Sequence, residues 1–455
     1  MHFIERLLQK QITIRQAIIA GFVLALLAAG YAFTAYRSNW FPVNVIREVR
    51  AFVGGDGAAH QRTLMQKVRN DLGIAPERFL HDRVVSAGTP LQDVTAPAGL
   101  FSEDRALPKF WASPALSLDD LLMIYGAFEF VDARFGIVML DPRSGEILRQ
   151  WPIAPGAETG ALTKGGVEPS NGLIATSFAG NLKIQDFCGA SVFEAEREYV
   201  HHAITFLPGT PVLWHWDTGD AVKRQADGTE LQRFSIVDLM AANPDETWLH
   251  IRLSPFAWSF SEVDELVDWR AVALGTKDGR PVSEADPFHV NDLQPVPEDF
   301  PGIGAGEHVA ISFRSLNTIA IVNVETLDIV HKIQEGLSRQ HDIDFNDDGT
   351  ITIFNNRNPF ENVHISGWQP GQTHVTPVFD TSSMRHANRA HGNHTKYGPE
   401  SFVILDYHGR VYAVENGQLV LLFENLWSSD QVLELRNVWT FPRADYERHV
   451  AACGG

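Results

Sequence analysis

Cysteines and basic residues are scarce in this sequence, and both shortages limit what the protein can be. Its 455 residues contain two cysteines, Cys188 and Cys453, and no Cys-x-x-Cys pair, so the usual spacing of a thiolate zinc site is missing. By default the two distant cysteines are interpreted as unpaired, although a disulfide is allowed if the domain lies outside the cytoplasm. The formal net charge of −19 argues against a nucleic-acid partner, because phosphate backbones are bound by basic surfaces.

Charged residues are absent from residues 17–36, AIIAGFVLALLAAGYAFTAY, where Thr34 is the one clearly polar side chain. A helix of this length spans a hydrocarbon core of about 30 Å, and Trp40 beyond it suits a membrane interface. We therefore expect a retained transmembrane helix at residues 17–36, with residues 1–16 in the cytoplasm. The alternative is a cleaved signal peptide ending near residues 28–30. Basic residues flank the segment almost equally, so charge does not set the orientation.

Residues 37–120 form a connector of mixed composition. Leu64, Val68 and Leu72 recur at helical spacing, which predicts a helix within residues 60–82, broken near residues 73–76. These apolar side chains are interpreted as a packing stripe. No function is evident in the connector.

From residue 121 the pattern becomes a repeat of apolar strand, tight polar turn and second strand. The clearest examples lie at residues 135–151, 181–195, 318–333 and 409–424, with turns such as Arg143-Ser144-Gly145. Strand-only repeats at this spacing favour a β-propeller. The sequence thus predicts an all-β fold, a six-bladed β-propeller over residues 121–455, preceded by the transmembrane helix and a short, partly helical connector.

Histidines stand at the start of several predicted strands, namely His201-His202 in HHAITF and His341 in HDIDF. The first strand of each propeller blade lines the central channel, so histidines in this register would converge on the axis. Because neighbouring residues in a strand face opposite ways, one member of the His201-His202 pair is expected to face the channel, and His202 shares the register of His341.

The ordered elements DPFHVNDLQPV, VAISFRSLNTIAIVNV and SRQHDIDFNDDGTITIFNN, within residues 286–356, resemble the bacterial arylsulfate sulfotransferase family. The resemblance extends over about residues 131–425. It implies a propeller with its active site in the central channel, and transfer of a sulfuryl group from a phenolic sulfate ester to a phenolic or glycan hydroxyl, without a nucleotide donor. It assigns the transiently sulfated histidine to His341 and supporting roles to His202, His289 and Arg314.

These residue types suit that chemistry. A neutral imidazole can act as the nucleophile, a guanidinium matches the oxygens of a tetrahedral anion, and further imidazoles can move protons. The absence of a Gly-x-x-x-x-Gly-Lys-Ser/Thr loop agrees with a nucleotide-independent reaction. Four more residues are expected to contact substrate, namely His201, Asn356, Arg389 and His394.

The sequence also departs from the family pattern. Ala203 and Asn355 stand where the family has aspartates. The cluster His386, His391 and His394 lies in a segment that reads as a loop at the channel mouth, so we expect neither a metal nor a cofactor. The expected location is the inner membrane, with the propeller facing the periplasm or the cell exterior. The alternative function is a non-catalytic propeller that binds a sulfated glycan or a protein partner. The sequence does not indicate an oligomeric state.

Overall fold

The structure is a computed structural model, and it describes residues 22–23, 29, 79–154, 162–178, 181–195, 200–217, 219–249, 276–277, 280–281, 288–357, 362–386, 391–406, 409–428 and 432–454. The chain divides into two units, residues 1–64 and 65–455, and the sheets described below all belong to the second. Apart from residues 22–23 and 29, the predicted membrane segment lies outside the described residues. Within the described residues, no helix has the length and apolar character needed to cross a membrane.

Six antiparallel sheets of at least four strands account for most of the described part of residues 65–455. We number them as blades, from the innermost strand outward. Blade 1 comprises Leu162–Glu168, Leu173–Phe178, Asn181–Asp186 and Ser191–Glu194. Blade 2 comprises Val200–Phe206, Val212–Asp217, Asp220–Gln225 and Glu230–Ser235. Blade 3 comprises Val290–Pro295, His308–Phe313, Thr318–Asn323 and Ile329–Ile333.

Of the remaining three blades, blades 5 and 6 combine strands from distant parts of the chain. Blade 4 comprises His341–Phe345, Ile351–Asn355, His364–Trp368 and Thr376–Asp380. Blade 5 comprises Asn393–Gly398, Ser401–Asp406, Arg410–Glu415 and Gln418–Glu424, followed outward by Lys109–Ala112 and Gln92–Asp93. Blade 6 comprises Leu435–Phe441, Leu121–Ala127, Phe135–Leu140 and Ile147–Ile153. A small hairpin pairs Thr276–Lys277 with Arg280–Pro281.

The innermost strands close into a ring. Each contacts the innermost strand of the next blade, and that of blade 6 contacts that of blade 1. Six clusters of buried apolar side chains lie between successive blades, one at each junction. The predicted six-bladed propeller is therefore confirmed, and its core is divided among the six blade junctions.

The strand Leu121–Ala127 shows why the strands of this protein appear in the sequence as continuous runs of apolar residues. All seven residues are buried. Leu121 and Met123 pack towards blade 1, whereas Leu122 and Ile124 pack towards blade 5. Because both faces of the sheet are covered, alternate positions are both apolar.

Blade 6 takes its innermost strand from the C-terminal part of the chain and its other three strands from residues 121–153. The helix Arg443–Cys453 follows, and a disulfide joins Cys453 to Cys188 in a turn of blade 1, with the two Cα atoms 5.4 Å apart. The default interpretation of unpaired cysteines was wrong, because ring closure brings together residues that are 265 positions apart.

Short helices connect or flank the blades. The helix Ile236–Ala242 begins with a capping box between Ser235 and Asp238. The remaining described helices are the α-helix Phe79–Ser86 and the 3₁₀ turns Thr247–Leu249, Arg314–Leu316 and Thr381–Met384. Phe79–Ser86 overlaps the end of the predicted connector helix, and the rest of that prediction lies outside the described residues.

All four predicted hairpins are present as adjacent paired strands. The segment around His394 was predicted as a loop, and this was wrong. Asn393–Gly398 is instead the innermost strand of blade 5. Its polar sequence, NHTKYG, is explained by its position beside the channel, where side chains meet polar groups across the axis.

Candidate active site at the propeller axis

Irregular backbone marks the points where the inner strands enter the channel. Register shifts lie between Val200 and Ile204, between Val290 and Asp292, and between His341 and Ile343. Bulges of this kind re-aim side chains next to functional sites. Positive φ angles accompany them, at His202 (73°) and His289 (44°). A left-handed backbone is unfavourable for residues other than glycine, and such strain is concentrated at active sites.

Four histidines meet at this end of the channel, and we call them the histidine cluster: His202, His289, His341 and His391. The ring of His202 lies 5.0 Å from that of His289 and 5.8 Å from that of His391, measured between ring centres. The ring of His391 in turn lies 6.0 Å from that of His341. His202 and His289 are half-buried, whereas His341 is 3% exposed. The cluster thus joins the buried imidazole of His341 to the half-buried ones of His202, His289 and His391.

The contacts of His341 define which ring nitrogen carries its proton. Nδ1 lies 3.0 Å from the carbonyl oxygen of Arg339 and 2.6 Å from Oδ1 of Asn356. Both partners accept, so Nδ1 is the protonated nitrogen. Nε2 therefore carries the lone pair, and it accepts the backbone N–H of His391 at 3.2 Å. Asn356 also donates to the carbonyl of His391 at 2.7 Å, which fixes its amide orientation.

Arg314 begins the 3₁₀ turn that follows the second strand of blade 3, and its backbone N–H donates to the carbonyl of His289 at 3.2 Å. Burial holds the pKa of His341 well below its usual range, and the positive charges of Arg314 and Lys164 lower this pKa further. His341 is therefore neutral at neutral pH. Arg314 is half-buried, and its positive charge acts on both His341 and His391.

His391 and Arg436 were not among the predicted site residues. The guanidinium of Arg436 lies 3.1 Å from Nε2 of His391 and pairs with Glu434 at 3.0 Å. Burial, followed by the charge of Arg436, lowers the pKa of His391 well below its usual range. His391 was visible only as one histidine in RHANRAHGNH, and Arg436 carried no signal because its strand belongs to a blade completed from the other end of the chain.

A second polar group lies further along the same inner strands, and we call it the carboxylate cluster: Lys164, Asp292, Asp342, Asp344 and His394. Nζ of Lys164 lies 3.4 Å from Asp292 and 3.5 Å from Asp342. His394 contacts Asp342 through Nδ1 at 2.9 Å. All five residues line a cavity of about 180 Å³ to which the inner strands of all six blades contribute.

In the carboxylate cluster, the charged side chains shift one another's pKa values. Burial favours the neutral form of Asp342, but Lys164 and His394 outweigh it and lower the pKa of this carboxyl below its usual range. Burial and the nearby Asp342 raise the pKa of Asp344 to about 7. Burial acts to lower the pKa of His394, but Asp344 and Asp342 outweigh it and raise this pKa. The carboxylate cluster therefore holds exchangeable protons near neutral pH, whereas the lowered pKa values of His341 and His391 keep those two imidazoles neutral.

The structure brings together His202, His289 and His341, and Arg314 lies close enough for its charge to act on His341. The residues expected to contact substrate are arranged differently. Asn356 is fully buried and positions His341. His394 lies among carboxylates, a poor place for an anion. The side chain of His201 and the whole of Arg389 lie outside the described residues.

The three histidines considered for a metal each have different surroundings. His386 contacts the hydroxyl of Tyr412 through Nδ1 at 2.7 Å. His391 belongs to the histidine cluster, and His394 belongs to the carboxylate cluster. Their proximity in sequence therefore does not make them one ligand set.

Comparisons with known proteins assign neither a family nor a function to this chain. No family model matches the sequence, and no curated protein matches it. Among solved structures, a protein of unknown function from Bacteroides caccae is 9% identical, with a TM-score of 0.38 over 70% of this chain and 94% of that one. The C-terminal WD40 domain of Sif2 is 10% identical, with a TM-score of 0.33 over 72% of each chain. KlHsv2 with a replaced loop is 9% identical, with a TM-score of 0.34 over 68% and 79%. Likenesses this distant transfer no function.

Proposed function

We propose that this protein is a membrane-tethered sulfotransferase, which moves a sulfuryl group from a phenolic sulfate ester to a hydroxyl acceptor through a sulfated His341, without a nucleotide donor. The observation that supports this most is the state of His341. It is a buried, neutral imidazole whose Nδ1–H is held by two acceptors and whose Nε2 lone pair accepts the backbone N–H of His391, a hydrogen bond that the aryl sulfate must displace. A pre-oriented lone pair is what a nitrogen nucleophile requires.

In the first step, Nε2 of His341 attacks the sulfur of the aryl sulfate. The N–S bond forms as the bond between sulfur and the phenolic oxygen breaks. The departing phenolate takes a proton from His202 or His289, and the donor must enter this step as an imidazolium; the two half-buried rings lie 5.0 Å apart. Positive charge develops on the imidazole of His341, and the acceptors on Nδ1, Asn356 and the Arg339 carbonyl, stabilise it.

In the second step, the hydroxyl oxygen of the acceptor attacks the same sulfur and the N–S bond breaks. The proton of that hydroxyl passes to the imidazole that protonated the phenolate, and His341 regains its lone pair. In both steps the guanidinium of Arg314 is the group best suited to bind the sulfuryl oxygens, because it is half-buried and its charge reaches the cluster.

The proposed location, with the propeller outside the cytoplasm and anchored by residues 17–36, is supported by two observations. One is the uncharged apolar run at residues 17–36. The other is the disulfide between Cys188 and Cys453, because disulfides persist in oxidising compartments and are rare in the cytosol.

The test uses the full-length protein in a mild detergent, incubated with 4-nitrophenyl sulfate and a phenol acceptor. Release of nitrophenolate and sulfation of the phenol are followed together, and intact mass is measured before acceptor is added. We expect one added SO₃ group per chain, absent from His341→Ala. The matched control is His374→Ala, which removes an exposed imidazole on the outer edge of blade 4 and should keep the adduct.

An adduct that persists in His341→Ala would show that another residue is the nucleophile. A protein that binds sulfated glycans but shows neither turnover nor adduct would instead be the non-catalytic propeller.

A further inference from the structure

We propose that the carboxylate cluster is a binding site for one divalent transition-metal cation, with His394 Nε2 and a carboxylate oxygen of Asp344 as its protein ligands. The site lies in the axial cavity of about 180 Å³, beyond the histidine cluster. It was not expected from the sequence, because its ligands come from two different blades and neither lies in a recognisable metal motif. The proposal concerns binding alone and is independent of the sulfotransferase reaction.

Asp342 sets the orientation of His394. One of its carboxylate oxygens accepts the backbone N–H of His394 at 2.7 Å and also contacts Nδ1 of the same residue at 2.9 Å. Since the carboxylate accepts, Nδ1 carries the proton. The lone pair is then on Nε2. A carboxylate behind a histidine is the usual arrangement around metal-ligating imidazoles, because it fixes the tautomer and the plane of the ring.

Nε2 of His394 is the atom that points to a ligand. His394 is 1% exposed, and no described residue makes a hydrogen bond with this nitrogen. The nearest carboxylate oxygen is Oδ2 of Asp344 at 3.7 Å, which is too long for a hydrogen bond. Two ligand atoms that each lie about 2.1 Å from a cation are separated by about 3 to 4 Å. The gap between the two atoms thus fits a cation held between them.

The remaining members of the cluster have other roles. Asp292 accepts the backbone N–H of Ile343 at 2.6 Å through one oxygen and pairs with Lys164 through the other. Asp342 is occupied by His394, by Lys164 and by the amide of Asn393 at 2.7 Å. Both carboxylates are therefore supporting groups, and Asp344 is the one whose oxygens are available to a cation.

The charge of the cluster also favours a divalent cation. Three carboxyl groups face one ammonium in this cavity, and this excess of acidic over basic side chains favours a cation. One imidazole and one carboxylate select Zn²⁺, Mn²⁺, Co²⁺ or Ni²⁺ over Ca²⁺ and Mg²⁺, which prefer oxygen ligands alone. The cavity has room for several waters, at about 30 Å³ each, to complete the coordination.

The test is equilibrium dialysis of the full-length protein, stripped with a chelator and held in a mild detergent, against Zn²⁺ or Mn²⁺ alone, with bound metal measured by mass spectrometry. We expect about one metal ion per chain for one of these ions. His394→Ala should abolish binding, Asp344→Asn should weaken it by at least about tenfold, and His374→Ala should leave it unchanged. Equal binding in all variants, or no binding to the unaltered protein, would overturn the proposal. The latter result would leave His394 and Asp344 as a buried ion pair.

A second measurement guards against misfolded variants. A bound metal raises the melting temperature in proportion to the logarithm of its concentration. The unaltered protein should show this rise with Zn²⁺ or Mn²⁺. Asp344→Asn, which keeps the shape of the side chain, should show a markedly smaller one. An equal rise in both proteins would place the metal elsewhere and overturn the assignment.

Discussion

The histidine cluster and the carboxylate cluster share the propeller axis and the same inner strands, yet their electrostatics are opposite. In blade 4 the two begin at adjacent residues, His341 and Asp342. Burial and nearby cations keep His341 neutral, whereas nearby carboxylates raise the pKa of His394. One end of the channel thus presents the neutral imidazoles of His341 and His391 beside guanidinium groups and suits an anion. The other presents carboxylates and suits a cation.

The comparison teaches that six nearly equivalent strands can build two different sites when bulges vary the direction of single residues. His341 and Asp342 would face opposite ways in a regular strand. The register shift beside them and the positive φ of Asp342, 49°, let both side chains reach the axis. The inner strands of the propeller bring these residues to the axis, and the irregularities determine which of the two clusters each side chain joins.

His341→Ala should distinguish most clearly between the proposed functions of the two clusters. Loss of the nucleophile should lower the sulfuryl-transfer rate by about 10⁴-fold or more, while metal binding by the carboxylate cluster should not change. Steady-state kinetics with 4-nitrophenyl sulfate and metal dialysis on the same preparation measure both. A variant that loses both properties would show that the clusters act as one site.

Arg314→Lys should have the next largest effect. The substitution keeps the positive charge but removes the planar fork that matches sulfuryl oxygens. We expect kcat/KM to fall by about 10²-fold, with the melting temperature nearly unchanged because Arg314 is half-buried. An unchanged kcat/KM would mean that another cation, such as Arg436, binds the sulfuryl group.

Substitutions of Asn356 test whether the proposed transfer reaction needs a neutral His341. Its hydrogen bond to Nδ1 favours the protonated ring and so opposes the other influences on the pKa of His341. Asn356→Ala should lower kcat by about 10- to 100-fold without a comparable change in KM. Asn356→Asp should raise the pKa of His341, because a carboxylate stabilises the imidazolium, and should move the acid limb of the pH–rate profile upward. A profile that does not move would contradict the positioning role.

Asp344 on the one hand, and His341 and His391 on the other, should also change the stability with pH in opposite directions in the absence of metal. His341 and His391 have folded pKa values below the unfolded value, so their contribution to stability is present above about pH 6.5 and is lost as the pH falls. Asp344 has a folded pKa of about 7, above its unfolded value of about 3.9, so its contribution is lost as the pH rises through that interval.

Melting temperatures recorded with a chelator between pH 4 and pH 8 would separate the two responses, an interval set by the ordinary pKa values of about 3.9 and 6.5. Asp344→Asn removes the opposing contribution, so its stability should rise more steeply with pH than that of the unaltered protein. Identical slopes in the two proteins would show that Asp344 titrates as an ordinary surface carboxyl.

The smallest effect on either cluster is expected from replacing the disulfide. Cys188→Ser with Cys453→Ser should lower the free energy of unfolding by about 2 to 4 kcal/mol, measured by denaturant unfolding. Transfer rate and metal binding should remain within about twofold, because the bond lies at the attachment of the C-terminal helix and outside the axial cavity. A large loss of transfer would mean that the bond also holds the channel in shape.

Much of the fold could be predicted from sequence because it depends on local patterns. Tight turns between apolar strands, as at Arg143-Ser144-Gly145, determine the hairpins, and the length of the repeat region, at four short strands per blade, indicates six blades. The convergence of His202, His289 and His341 could be expected only because a propeller places equivalent strand starts on one axis.

The other features of the site depend on contacts between distant parts of the chain, which no local sequence pattern predicts. Arg436 reaches the axis because a strand from the end of the chain completes blade 6, and Lys164 meets Asp292 and Asp342 across the channel. The disulfide was missed for the same reason. The sequence also did not predict that His341 joins the histidine cluster while Asp342 joins the carboxylate cluster, since this depends on a bulge and not on residue type.

The composition of blade 6 has a consequence for the protein's synthesis. Three of its strands leave the ribosome before blade 1, but the fourth, Leu435–Phe441, follows blade 5. Until then the nascent chain is an open arc, with apolar side chains of Leu121–Ala127 awaiting their partner strand. Neither axial site has a complete wall before this last strand arrives. A chain interrupted a few residues short of it would therefore assemble neither the proposed catalytic site nor the proposed metal site.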